Sequence, residues 1–268
     1  MDQDLKDKRI NEVINLFTSG MLDACIKKTR ELISLYYPQE PFLFNLLGVA
    51  NGAEGNFEEA IISYKEALSL NSQYFEVYNN IGVAYTDWGK PDLALEYLEK
   101  ALDINPKYAE AFNNIGNAKK KLSDIDSAIE SYEKAIELNP EYVDAVCNLG
   151  ICFVSQKKHK EAIRVYEKAD ILDPGRWETK LQLAKLLLQM KYIEQAKIKY
   201  EEAISINAEC AEAYNGLGLY GLEIKNFDYA KENFGKAVIK NNQYLEAINN
   251  YGVVLLNKKD FSEAIKSF

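Results

Sequence analysis

Small residues recur through this chain at one fixed interval, and that interval restricts its fold more than any other property. Gly48, Gly82, Gly116, Gly150, Ala184, Gly218 and Gly252 are each 34 positions apart, as are Ala60, Ala94, Ala128, Ala162, Ala196, Ala230 and Ala264. Ala67, Ala101, Ala135, Ala169, Ala203 and Ala237 form a third column. A period in this range marks stacked supersecondary units, each unable to bury its apolar face alone. Apolar residues flank the small ones at helical spacing, as with Phe44 and Leu47 before Gly48 and with Ile61, Tyr64 and Leu68 after Ala60. Each unit is therefore predicted to be two amphipathic helices that touch at the small residues. A leucine at Gly82 or Ala94 is expected to overpack that contact at a cost of about 1–3 kcal/mol.

Turn residues fall in phase with the repeat. Asn105-Pro106, Asn139-Pro140 and Asp173-Pro174 end units where proline cannot continue the preceding helix, and Asn71-Ser72, Asn207-Ala208 and Asn241-Asn242 mark the same place more weakly. Gly55-Asn56-Phe57 and Gly89-Lys90-Pro91 separate the first helix of a unit from the second. The frames run 41–74, 75–108, 109–142, 143–176, 177–210 and 211–244, with a partial frame at 245–268. Residues 1–40 are expected to be an atypical N-terminal capping helix pair, with Ile10, Val13, Ile14 and Phe17 before a break at Ser19-Gly20 and Leu22 to Leu35 after it. A helical array needs a polar-backed last unit, so the partial frame is expected to mean either the front part of a longer protein or a truncated sequence.

The run Tyr78, Ile81, Gly82, Tyr85, Ala94, Leu98, Ala101 and Pro106 resembles the tetratricopeptide repeat (TPR) family. Phe112, Ile115, Gly116, Ala128, Tyr132, Ala135 and Pro140 repeat the match, with Lys119 in place of the usual aromatic. The likeness recurs from residue 41 to 268. It implies an all-α fold, a right-handed α-α superhelix or TPR solenoid of stacked antiparallel helix pairs, whose first helices line a concave groove that holds protein ligands. By the same resemblance, the residues two, five, six, nine, twelve and thirteen places into each frame face that groove.

The candidate peptide-binding residues on this concave face are Asn45, Asn79, Asn80, Asn113, Asn114, Asn148, Gln182, Asn215, Asn249 and Asn250 at places five and six, with Asn117 and Lys185 at place nine. Asparagine is less favourable than alanine inside a helix by up to roughly 0.7 kcal/mol, so a phased column of it asks for a reason. A carboxamide donates and accepts at once, and can pair with both the N–H and the C=O of an extended peptide. A similar asparagine ladder lines the repeat superhelix of protein O-linked N-acetylglucosamine transferase, where it grips substrate backbone. The alternative is that these amides bond to neighbouring repeats. Place two is acidic in Glu76, Glu110, Asp144, Glu178, Glu212 and Glu246, which either complements the helix dipole or steers a basic peptide. Chaperone-adaptor members of the family clamp a C-terminal carboxylate with lysine and arginine at these places. Here Asn79, Glu110 and Asn114 stand there instead, so that binding mode is not expected.

Charge and composition narrow the partners. Among 268 residues, 41 acidic against 32 basic side chains give a net charge of -9, which repels nucleic acid and anionic lipid and favours a neutral or basic protein partner. The opening residues Met1 to Arg9 alternate charge, no apolar run reaches the length of a membrane span, and a cytoplasmic location is expected. Cys25, Cys147, Cys152 and Cys210 lack CxxC spacing and His159 is the single histidine, so reduced thiols and no metal or cofactor are expected. Gly216, Gly218 and Gly221 spell GxGxxG, yet they fall within a predicted helix with no strand before them. With no catalytic motif in view, the chain is expected to be a non-enzymatic scaffold or adaptor that binds an extended peptide or partner protein. The alternative is the substrate-recruiting front of a longer transferase, a glycosyltransferase or sulfotransferase, and a purely structural bridge that uses the convex helices is a third reading.

Overall fold

A computed structural model of the protein describes residues 3–257, and every regular element among them is a helix. Ala264 and the second helix expected for the partial frame lie outside the described residues. Two helices, α1 (Gln3–Thr18) and α2 (Leu22–Leu35), precede the repeats. The first helices of the successive frames are α3 (Pro41–Ala53), α5 (Phe75–Asp87), α7 (Ala109–Lys121), α9 (Val143–Ser155), α11 (Trp177–Gln189), α13 (Ala211–Glu223) and α15 (Leu245–Asn257). The second helices are α4 (Phe57–Leu70), α6 (Pro91–Ile104), α8 (Ile125–Leu138), α10 (His159–Leu172), α12 (Ile193–Ile206) and α14 (Phe227–Lys240).

The chain forms two compact units, an N-terminal block through Ala145 and a C-terminal block from Val146. Within the N-terminal block the pairs α3/α4, α5/α6 and α7/α8 pack most closely, and α5 also touches α3 and α7, so first helices stand in a row. Val13, Cys25, Leu32 and Leu43 fill the core beneath α1 and α2, followed by Tyr64, Val77, Ile81 and Leu98. The C-terminal block repeats the scheme with α11/α12 and α13/α14, around Tyr166, Leu183, Tyr200 and Leu217 and then Phe234 and Val254.

The glycine column has a steric cause. A Cβ at Gly48 would lie 2.4 Å from the Tyr64 ring, one at Gly116 2.5 Å from Tyr132, and one at Gly218 2.4 Å from Phe234. Place eight is thus a seat for the side chain at place twenty-four of the same frame, a ring in these frames and Leu98 over Gly82. Frame 177–210 departs from this rule: place eight is Ala184, which carries a methyl where the other frames have a glycine hydrogen. Its own aromatic, Tyr200, lies instead against Gly216 of the next frame, where an added Cβ would stand 2.2 Å from the tyrosine Cζ. The GxGxxG pattern is accounted for in the same way, since Gly218 seats Phe234 and a Cβ at Gly221 would come within 2.8 Å of the Ala230 backbone nitrogen.

Both turns of the repeat are built by chemistry wider than the sequence pattern implies. Between frames, the oxygen of Asn71, Asn105, Asn139, Asp173, Asn207 or Asn241 accepts the backbone N–H two residues on, at 2.9–3.2 Å. This side-chain turn occurs in all six frames, whether or not proline follows. Within frames, place fifteen is left-handed throughout, at Gly55 and Gly89 (φ 81 and 77°) and then at Ser123, Lys157, Lys191 and Lys225 (φ 58–65°). The last four are side-chain-bearing residues in a region that favours glycine.

Candidate functional site

The asparagine column resolves into two rows with different surroundings. At place five, Asn79, Asn113 and Asn215 are buried, Asn45 is half-buried and Asn249 is exposed. At place six, Asn80, Asn114, Asn148 and Asn250 are half-buried, and Gln182 is exposed. The rows join across frames: Asn80 Nδ2 donates to Asn45 Oδ1 at 3.0 Å, Asn114 Nδ2 to Asn79 Oδ1 at 2.9 Å, and Asn250 Nδ2 to Asn215 Oδ1 at 3.0 Å. Asn80, Asn114 and Asn250 each give an amide hydrogen to the preceding frame. The buried carbonyl at place five is satisfied by that bond, as a buried polar group must be.

A tyrosine completes the arrangement. Asn215 Nδ2 donates to the Tyr244 hydroxyl at 3.4 Å within its own frame, and Asn45 and Asn113 stand beside Tyr74 and Tyr142 in the same way, each amide favouring the ionised phenol against the effect of burial. Asn79 and Tyr108 occupy the same two places in the second frame. The pairing lapses together, at Cys147 with Arg176 and at Leu181 with Cys210, and Leu181 and Cys210 are both buried in one apolar cluster. Burial pushes the phenols of Tyr108 and Tyr142 up to about 12, with the carboxylates of Glu110 and its neighbours adding to the effect. Tyr244 is raised by burial and by Glu246, whose Oε2 accepts its hydroxyl at 3.2 Å.

The first-helix face is hollowed beside this ladder at places nine, twelve and thirteen. In the N-terminal block, Phe57, Asn80, Val83 and Asp87 border a hollow of about 260 Å³, and Thr86, Asn114, Asn117 and Lys120 border one of about 170 Å³. The Asn117 Oδ1 accepts the Tyr132 hydroxyl at 2.8 Å. In the C-terminal block, α11, α13 and α15 enclose a larger hollow of about 500 Å³, bordered by Lys185, Leu188, Tyr200, Gly216, Leu219 and Glu246. The acids of place two edge the same face. Glu110, Asp144, Glu178 and Glu246 are exposed, Glu76 and Glu212 half-buried.

A second polar constellation, which the sequence reading did not single out, lies between α10, α11 and α12. Asp170 accepts hydrogen bonds from the ammonium groups of Lys180 and Lys199, the latter at 2.7 Å, and Lys199 also reaches Glu202 at 2.8 Å. The Lys180 and Asp170 side chains are only 8% and 11% exposed. Burial pushes the Asp170 carboxyl up, but the two lysine hydrogen bonds outweigh it and hold the group below the usual carboxylate range. The signal was present in the repeat register. Place twenty-eight is Leu68, Leu102, Ile136, Ile204 or Val238 elsewhere, and place four is Phe44, Tyr78, Phe112, Val146, Tyr214 or Ile248. Asp170 and Lys180 are the exceptions at both, in facing helices.

Among the described residues, no three His, Cys, Asp or Glu side chains gather to hold a metal, and no helix is long and apolar enough to cross a membrane. No curated protein sequence matches the chain. Among solved structures, a tetratricopeptide repeat protein from Parabacteroides merdae is 21% identical with a TM-score of 0.64, covering 93% of this chain and 98% of its own. The pilF protein of Pseudomonas aeruginosa is 22% identical with a TM-score of 0.68, covering 77% and 94%. YrrB, described as a TPR protein with an unusual peptide-binding site, is 21% identical with a TM-score of 0.58, covering 69% and 96%. At these identities the likeness is one of fold. Profiles of the tetratricopeptide repeat match residues 75–108 and 109–142, and others of the same repeat match 53–89, 131–164 and 153–218. With consecutive profiles running from residue 53 to 218 over helix pairs in one register, the chain belongs to the tetratricopeptide repeat family.

Proposed function

We propose that this chain is a protein-binding scaffold or adaptor that holds an extended polypeptide along the first-helix face of its repeats. The observation that carries the reading is the division of labour at Asn80, whereas the Asn114 oxygen also accepts from Asn113 Nδ2 at 3.3 Å. Asn80 spends an amide hydrogen on the seam between frames, while its Oδ1 has no donor among the described residues and borders the 260 Å³ hollow. A carbonyl oxygen held in place by its own amide is suited to accept a backbone N–H from a bound peptide. Asn80, Asn114, Asn117, Asn148, Gln182, Lys185 and Asn250 are then the ligand-facing set. Asn45, Asn79 and Asn215 brace them from place five, Asn113 bonds Asn114 beside it, and the exposed Asn249 joins the ligand-facing side. The exposed acids of place two favour a neutral or basic partner over an acidic one.

The test is a triple exchange of Asn80, Asn114 and Asn148 to alanine, measured against immobilised short randomised peptides and by thermal unfolding. Peptide binding lost while the variant, weakened by the missing seam bonds, is still folded at the assay temperature supports the reading. Undiminished binding, or a loss that only follows unfolding, assigns these amides to the seam alone and overturns it.

A further inference from the structure

Resting on that reading, we propose that the C-terminal block holds a socket over Gly216 for one basic side chain of the bound polypeptide, a lysine or an arginine. The socket grows out of the paired exception at Ala184 and Gly216. Elsewhere place six carries Leu46, Asn80, Asn114, Asn148, Gln182 or Asn250. At Gly216 no side chain stands, because the Tyr200 ring fills the space a Cβ would need. The hollow left between α11, α13 and α15 measures about 500 Å³, against 260 and 170 Å³ for the two on the first helices of the N-terminal repeats; a recess of about 620 Å³ on α1 lies before the repeats.

Its chemistry selects the occupant. The floor is apolar, with Tyr200, Leu188 and Leu219. The rim carries the carboxylates of Glu212 and Glu246, which have no cation within ion-pair reach among the described residues. Glu223 at the same rim is already paired with Lys191 at 2.7 Å. A long side chain with an aliphatic stem and a cationic end covers such a floor and meets such a rim. An acidic side chain would face two carboxylates that hold neutral donors, Asn215 and Tyr244 on Glu246 and Cys210 on Glu212, and keep their full charge, and a short polar one would leave the floor in water. Lys185, on α11, is exposed and without an ion pair among the described residues, and its ammonium can donate to a ligand backbone carbonyl.

The full chain is offered immobilised short randomised peptides, and the bound ones are sequenced for residue preference at each position. Lysine and arginine are expected to be enriched over glutamate at one position by about tenfold, a preference that fades as salt is raised. Glu212→Gln combined with Glu246→Gln is expected to remove that enrichment while the circular dichroism and melting midpoint stay near those of the parent chain. Peptides held with no basic preference, or with one that the double exchange leaves intact, overturn the socket and leave the groove reading standing. If no peptide is held, both fall together.

Discussion

The packing of one frame on the next is achieved in two ways within this molecule. In the N-terminal block, α6 meets α7 through Leu102 and neighbours Ile115 and Ala118, and the two key places hold Leu102 and Phe112. In the C-terminal block the same places in α10 and α11 hold Asp170 and Lys180, bridged to each other and to Lys199. An apolar seam tolerates small rotations of its side chains, whereas a buried ion pair is satisfied in one geometry and expensive in any other. The difference teaches that one helical register can be kept by two kinds of interaction, of which only the second makes the contact dependent on pH.

Removing one member of the charged seam is the severest way to break the comparison. Lys180→Met leaves the buried Asp170 carboxylate with Lys199 as its one remaining cation and is expected to cost about 3 kcal/mol, read as faster hydrogen exchange of α10 and α11. Asp170→Leu with Lys180→Tyr restores the N-terminal solution and is expected to be neutral or more stable by about 1–4 kcal/mol. A single exchange as mild as the double one would contradict this account. The pH dependence follows from the depressed Asp170 carboxyl. Its stabilising contribution is present above the unfolded carboxylate value of about 3.9 and is lost as pH falls through the lower folded value. The acid limb of thermal stability is therefore expected to flatten in the double variant, with melting followed from neutral to acidic pH.

The converse transplant is predicted to be milder. Leu102→Asp with Phe112→Lys installs the charged pair in the N-terminal block, where place twenty-three of frame 109–142 is Ser131 in the position of Lys199. A loss of about 1–4 kcal/mol is expected from the melting midpoint, and no loss would show that the seams are equivalent. The smallest effect concerns the turns, where the N-terminal block uses Gly55 and Gly89 and the C-terminal block Lys191 and Lys225. Lys225→Gly is expected to relieve left-handed strain and stabilise by about 1 kcal/mol in denaturant unfolding, with Gly55→Lys losing a similar amount.

The parts of this architecture that were legible in the sequence are those imposed equally on every frame. Gly82, Ala94 and Ala101 recur because backbones and rings meet there in each repeat, so simple counting exposes the helix pairs. The parts that were hidden depend on two places at once. Asn45 with Tyr74, Asp170 with Lys180, and Ala184 with Gly216 are each unremarkable singly and acquire meaning only when fold proximity joins them. Turn chemistry was partly obscured for another reason: Asn71, Asn207 and Asn241 act through a side-chain oxygen that proline-based reading overlooks. Likewise, Lys157, Lys191 and Lys225 take a backbone region ordinarily signalled by glycine.

The Tyr200 ring, made in one module and lodged in the next, bears on how such an array can be lengthened, shortened or shuffled. A module that seats its own aromatic carries that contact inside itself when it is duplicated or deleted, although it still needs neighbours to cover its faces. The stretch 177–210 has given up that independence: cut out alone it leaves a vacancy beneath Gly216, and placed before an asparagine-bearing module its tyrosine has nowhere to go. In recombination or protein engineering, these two modules must be inherited as a couple.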